Sequence, residues 1–329
     1  MSFHPNYRIE YLPAPGPVLE LQRHPFRFYT YMIIFIPFVL AYAAIPFWMA
    51  RQTFPHIFLA GLAWLLMGIG ILYIYYRFLK CMYRSVPGLR VDTTHDRLIF
   101  RHAHYHLNEL TEWEYFAHEE LSCSPFYKLY GIRMYFRDGT QRFFPDFYYT
   151  NLWMIKQFIE QRKQGKPFRP YVIKGFPKKI PPGEPFTYYG RTYTSFEHII
   201  SWIFFAVFLY LFIQAGDSPR SFVKEMIEAF LMTVFTYFIF WKNFWYFGLS
   251  PRFLVIRHLL FLRKPKIYPL ETIRFIGWRT FGRGYLLMAV FTSDFRPHCL
   301  VTEGIPEKQR QALIQALPKS GIPAEDFYM

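Results

Sequence analysis

The chain has 329 residues, 53% of them hydrophobic and 22% aromatic, with a formal net charge of +15. That apolar load is high for a soluble globular chain and is concentrated in uncharged runs. Three scattered cysteines, Cys81, Cys123 and Cys299, form no CxxC pair and are expected to be reduced thiols.

In chain order, a first segment (1–27) leads to a run without formal charge, Phe28–Ala50, between Arg27 and Arg51. It begins too late and runs too long for a secretory signal. Pro37 and Pro46 inside it predict kinks. A second run, Gln52–Tyr76, ends at Arg77. Its Gly61, Gly68 and Gly70 predict a helix face open to a close helical neighbour, either the first run or another partner. Each run is near the 20 or so apolar residues that a spanning helix needs.

A β-rich segment (77–164) follows. "RLIFRHAHYH" and "LTEWEYF" are strand-like, and "IRMYFRDGTQRFF" places Asp138-Gly139 between apolar runs, predicting a hairpin with a type I′ turn. "YTNLWMIKQFIEQRKQ" reads as a helix capped by Thr150 or Asn151, with Leu152, Ile155, Phe158 and Ile159 on one face. A Pro- and Lys-rich stretch (165–197) reads as a linker. Its Lys178-Lys179 pair is a candidate contact for anionic headgroups. Two further apolar runs, Ile199–Gly216 and Ala229–Trp241, lie within 198–247. The last segment (248–329) repeats the β plan: "FLVIRHLLFLR", "YPLETIRFIGWR", a hairpin around Ser293-Asp294, and a helix begun by Pro306.

The expected fold class is therefore an integral membrane α+β protein. It has four transmembrane helices in two hairpins, each followed by an antiparallel β module with a closing helix. Basic residues number 19 in 77–197 and 13 in 242–329, against 1 in the first connector and 2 in Asp217–Glu225. By the positive-inside rule, the amino terminus and both β segments are expected in the cytoplasm of a multi-pass inner-membrane protein.

His102, His104 and His106 alternate, so on a strand they share a face. Two of them with His118 or Glu114 have the ligand types of a zinc site. A solvent-facing polar strand explains the same spacing without metal, and the matching strand of the second β segment keeps only His258. A di-iron membrane oxygenase needs histidine boxes that the isolated His24, His56, His198, His258 and His298 do not make. No Walker loop, GxGxxG, GxSxG or HExxH occurs, so no catalytic residue and no cofactor is expected.

Two apolar runs followed by "RLIFRH" with "LNELTEW", and again by "RFLVIRH" with "YPLETIRFI", resemble the bacterial membrane-flanking PH-like domain proteins. The resemblance covers about 270 residues as two tandem copies. It implies curled antiparallel barrels, each closed by a helix, and carries over no catalytic residue. The expected function is a non-enzymatic membrane scaffold or accessory subunit of a larger complex. Its expected partners are other integral membrane proteins and anionic phospholipids, with no nucleic acid. The alternatives are an anionic-lipid-binding or transport-support protein and, third, a metalloenzyme using the histidine strand.

Overall fold

A computed structural model describes residues 7–25, 28, 30–54, 57–101, 103–120, 128–180, 182–190, 203, 206, 207, 210, 245–258, 264–281, 285–301 and 305–326. The chain opens with strands β1 (Arg8–Tyr11) and β2 (Val18–Glu20), then helices α1 (Thr30–Thr53) and α2 (Phe58–Ser85). Strands β3 (Arg90–Asp92), β4 (Arg97–Ile99), β5 (His104–His106), β6 (Leu110–Glu120), β7 (Lys128–Phe136) and β8 (Gln141–Pro145) lead to helix α3 (Leu152–Lys163). Strands β9 (Tyr171–Lys174), β10 (Thr187–Tyr189), β11 (Trp245–Leu249), β12 (Phe253–His258), β13 (Lys266–Pro269), β14 (Ile273–Phe281), β15 (Tyr285–Thr292) and β16 (Pro297–Val301) precede helix α4 (Glu307–Lys319) and strand β17 (Ala324–Asp326).

Two compact units result. The amino-terminal unit is Leu12–Pro170, and the carboxy-terminal unit joins Met1–Tyr11 to Tyr171–Met329. In the first, β2-β3-β4-β5 form one sheet and β6-β7-β8 another. In the second, the sheets are β10-β11-β12-β13 and β16-β15-β14-β17, with a separate β1-β9 ribbon.

The registers show how closely the two plans agree. A bulge interrupts β6 between Leu110 and Glu112, and β14 has the same interruption between Ile273 and Phe275. Each follows a single 3-10 turn, Leu107–Glu109 and Leu270–Thr272. The first strands of the β2-β3-β4-β5 and β10-β11-β12-β13 sheets come from stretches that sequence alone assigns to the amino-terminal segment and the linker.

Alternation drives both cores. Leu98, Ile132, Met134 and Phe144 point inward onto Ile155, Phe158 and Ile159 of α3. Phe247, Leu254, Ile256, Trp278, Met288 and Val290 enclose Leu313 and Leu317 of α4. Each such side chain contributes about 1.5–3 kcal/mol on full burial.

The Asp138-Gly139 turn forms, with a geometry different from the one expected. Gly139 has φ +79°, its N–H donates to the Phe136 carbonyl at 2.9 Å, and the Phe136 N–H donates to the Thr140 carbonyl at 2.9 Å. Asp138 is not at positive φ, so this is a three-residue loop with a left-handed glycine, not a type I′ turn. Asp138 Oδ1 accepts from the Thr140 N–H at 2.9 Å, which fixes the loop without a second left-handed residue.

The four-span fold class is corrected. Among the described residues one helix, Phe58–Cys81 within α2, is long and apolar enough to cross a membrane. The runs Ile199–Gly216 and Ala229–Trp241 lie outside the described residues, apart from Ile203, Ala206, Val207 and Tyr210. The fold is thus β-rich, in two α+β units, with one candidate span among the described residues. A charge-free run removes only the largest desolvation cost. α1 runs as one helix from Thr30 to Thr53 with Pro37 and Pro46 inside it.

Candidate functional site

The glycines singled out on α2 face α1. A Cβ at Gly61 would meet the Phe54 ring at 2.7 Å, and one at Gly68 the Phe47 ring at 3.0 Å. α1 turns Ala43 and Ala50 inward beside them. This small-residue stripe therefore seats α2 against its own neighbour. The other faces of α2 carry exposed Leu59, Leu66, Ile69 and Ile74, and only 11% of its most apolar window is buried.

Among the described residues the histidine strand gathers no group of metal ligands. His102 lies outside the described residues. His104 is exposed and His106 half-buried on the short edge strand β5. His106 Nδ1 accepts the Asn108 N–H at 3.4 Å, which caps the following turn. Tyr105, between them, stacks on Phe136 at 4.1 Å and donates its hydroxyl to Asp138 Oδ2 at 2.8 Å. That bond and the Thr140 N–H hold the Asp138 carboxyl below its ordinary range, the Thr140 bond contributing more. Glu114, considered as a third ligand, is paired with Arg133 at 3.5 Å and accepts from the Tyr135 hydroxyl at 2.9 Å. Among the described residues no group of three or more His, Cys, Asp or Glu is arranged to hold a metal.

Lys178 and Lys179 are exposed in the turn after β9. Close by in sequence, a groove of about 780 Å³ opens in the carboxy-terminal unit. Phe186, Thr187, Tyr189 and Leu249 line it, with Lys319 at the end of α4. Its neighbour Glu184 is bonded by both Nε and Nη2 of Arg252, and the arginine holds that carboxyl below its usual range.

Several polar side chains take anchoring roles that no sequence motif reveals. Lys156 is fully buried and donates to Asp146 Oδ2 at 2.6 Å, with its ammonium 5.2 Å from the Phe116 ring centre. Its position gave a signal: Leu152, Ile155, Lys156 and Ile159 follow the spacing of one helix face, so a cation there implies a buried partner. Asn151 stands at the start of α3, yet its side chain accepts the Gln22 N–H and donates to the Glu20 carbonyl, each at 2.8 Å, tying β2 to the helix instead of capping it. In the other unit, buried Asp294 accepts the Ile173 N–H at 2.9 Å and the Thr292 hydroxyl at 2.6 Å, anchoring β9 to the β15–β16 turn. His298 sits between Tyr268 and Phe176, and desolvation lowers its pKa to about 4.

Among the described residues the features that stand out are an apolar helix face, a strand edge, a groove and an exposed lysine pair. No protein-family model matches the chain, and no curated protein matches it.

Proposed function

We propose that the protein is a non-enzymatic scaffold, an accessory subunit of a larger membrane-protein assembly, whose β units act as PH-like contact modules. The observation that carries this reading is α2. It is apolar over 24 residues, yet 89% of its most apolar window lies outside the protein's own core. Exposed apolar surface of that extent calls for an apolar partner. The two β units beside it in the chain have hydrophobic cores of their own. Their basic residues are interleaved with acids: 77–197 holds 19 basic and 12 acidic side chains, which suits protein contacts better than a dedicated anion trap.

Purification of the full chain in mild detergent, with identification of co-purifying chains, tests this. Stoichiometric membrane-protein partners are expected. A second reading, binding to anionic phospholipids, is favoured by exposed Lys178 and Lys179. It would prevail if the chain purified alone and bound anionic vesicles with a steep loss between about 0.1 M and 1 M salt, where the Debye length falls from about 10 to 3 Å.

A further inference from the structure

The outward face of α2 changes character along its length. Leu59, Leu66, Tyr73 and Lys80 recur every seventh residue. On a helix such a row stays close to one side, drifting by about 20° per repeat. It is offset by two residues, about 200°, from the row of Gly61 and Gly68, which faces α1. Leu59, Leu66, Tyr73 and Lys80 thus lie on the side of α2 away from α1, and all four are exposed. Arg77 and Arg84 stand three residues before and four after Lys80, so they join the same stripe, and both are exposed.

Along the helix axis the order is apolar, aromatic, basic. Phe58–Tyr76 carries no formal charge. As a helix it is about 28 Å long, against about 30 Å for the hydrocarbon layer of a bilayer. Tyr73 and Tyr76 come at its end, where aromatic rings favour the headgroup level. Arg77, Lys80 and Arg84 then cover about 10 Å of axis, enough to cross a headgroup layer about 5–8 Å thick. The tyrosines orient two of the cations: Arg77 Nη1 donates to the Tyr73 hydroxyl at 3.5 Å, and the Lys80 ammonium lies 5.9 Å from the Tyr76 ring centre.

The stripe exceeds what a helix end requires. Stabilisation by the helix dipole falls off within the last turn, yet Arg77 lies eight residues before Ser85, where α2 ends. α2 holds no Asp or Glu, so no carboxylate of its own helix offsets the three cations. The end of α2 is fixed to the β part of its own unit. Arg23 donates to the Val86 carbonyl at 2.9 Å, and the Tyr149 hydroxyl donates to the Pro87 carbonyl at 2.6 Å.

We propose that Arg77, Lys80 and Arg84 bind the headgroup phosphate of an acidic phospholipid whose acyl chains lie along Tyr73, Ile69 and Leu66. The apolar row runs into the basic one without a break, so a single surface serves both ends of one amphiphile. Because the end of α2 is fixed to its β unit, the bound lipid also holds that unit at the membrane surface. This deepens the membrane reading above and rests on it: the stripe meets lipid, and protein partners meet other surfaces.

The test uses the full chain, purified in mild detergent and stripped of lipid. Phosphatidylglycerol or phosphatidylcholine with the same acyl chains is added, and retained lipid is counted by native mass spectrometry. Phosphatidylglycerol should be retained about tenfold better or more. Changing Arg77→Gln, Lys80→Gln and Arg84→Gln together should remove that preference, whereas Lys178→Gln with Lys179→Gln should keep it. Inorganic phosphate should not displace the lipid. On the unaltered chain, where folding of a variant is not in question, a photoactivatable phosphatidylglycerol should crosslink within residues 77–84. Equal retention of the two lipids, a preference undiminished in the triple variant, displacement by inorganic phosphate, or crosslinks confined to other segments would each overturn the proposal. Release of the chain from membranes without detergent would sink the membrane reading itself. A chain that stays in the membrane but shows no lipid preference sinks this proposal alone.

Discussion

The amino-terminal and carboxy-terminal units build the same pair of sheets and the same closing helix, but they secure them by different means. The first holds its helix with a buried ion pair, Lys156 to Asp146. The second secures its strands with neutral or short-range devices: β17 along β14, Asp294 gripping β9, and a neutral His298 among aromatic rings. One plan thus admits polar and apolar solutions to the same packing problem. The costs appear under different conditions, since an unpaired buried charge is severe at any pH near neutrality, whereas a desolvated histidine matters only on acidification.

The largest expected break is Asp146→Ala. It leaves a buried ammonium without its carboxylate, and the amino-terminal unit should lose about 3–5 kcal/mol. Hydrogen exchange should report the loss in α3 and β7 while α4 stays protected. The double change Asp146→Leu with Lys156→Met should recover most of it. Equal loss in both units would show that they do not unfold independently.

Gly131 lies opposite Ala117, just past the second bulge of β6. A Cβ there would lie 2.1 Å from the Phe144 carbonyl oxygen. Gly131→Ala should therefore cost about 3 kcal/mol, at the upper end of overpacking effects, because backbone must move. Unchanged denaturant midpoints would show that β8 can shift away freely.

His298 sharpens the contrast through pH. Its folded pKa of about 4 lies below the ordinary 6.5. The unfolded chain therefore takes up a proton first as pH falls. Stability is full above about 6.5, declines between there and about 4, and is level below. The half-buried ring should limit the loss to about 2 kcal/mol. His298→Phe should remove this component from the pH dependence of exchange in β15 and β16; an unaltered slope would refute the assignment.

The smallest effect is at the hairpin tip. Gly139 has open space around it and φ +79°, so Gly139→Val meets backbone strain alone, about 1–2 kcal/mol. Equal thermal unfolding of the variant would show that the loop adopts another turn.

Much of the local structure was legible. The spacing of Leu152, Ile155, Phe158 and Ile159 gives the buried face of α3, and each is at most 1% exposed. Asp138-Gly139 and Ser293-Asp294 mark turns that form. The histidine alternation was legible as a strand pattern, but the strand is only His104–His106, and Tyr105 and His106 serve the neighbouring turns. The four-span reading failed because uncharged length reports only the cost of transfer: one described helix qualifies as a span, and two of the four runs lie almost wholly outside the described residues.

By itself, then, the sequence determined the periodic features: which residues of α3 face inward, where two hairpins turn, and that α2 has small residues on one side. These follow from periodicity and turn chemistry, which act over a few neighbouring residues. The tertiary structure decided the rest. It placed Phe54 and Phe47 against Gly61 and Gly68, buried Lys156 on Asp146, and drew Val18–Glu20 and Thr187–Tyr189 into sheets. It also laid Ala324–Asp326 along β14 while leaving β6 with a single sheet neighbour among the described residues. Those outcomes depend on pairings between segments far apart in the chain, where short strands of similar composition compete and only the whole set of contacts selects one.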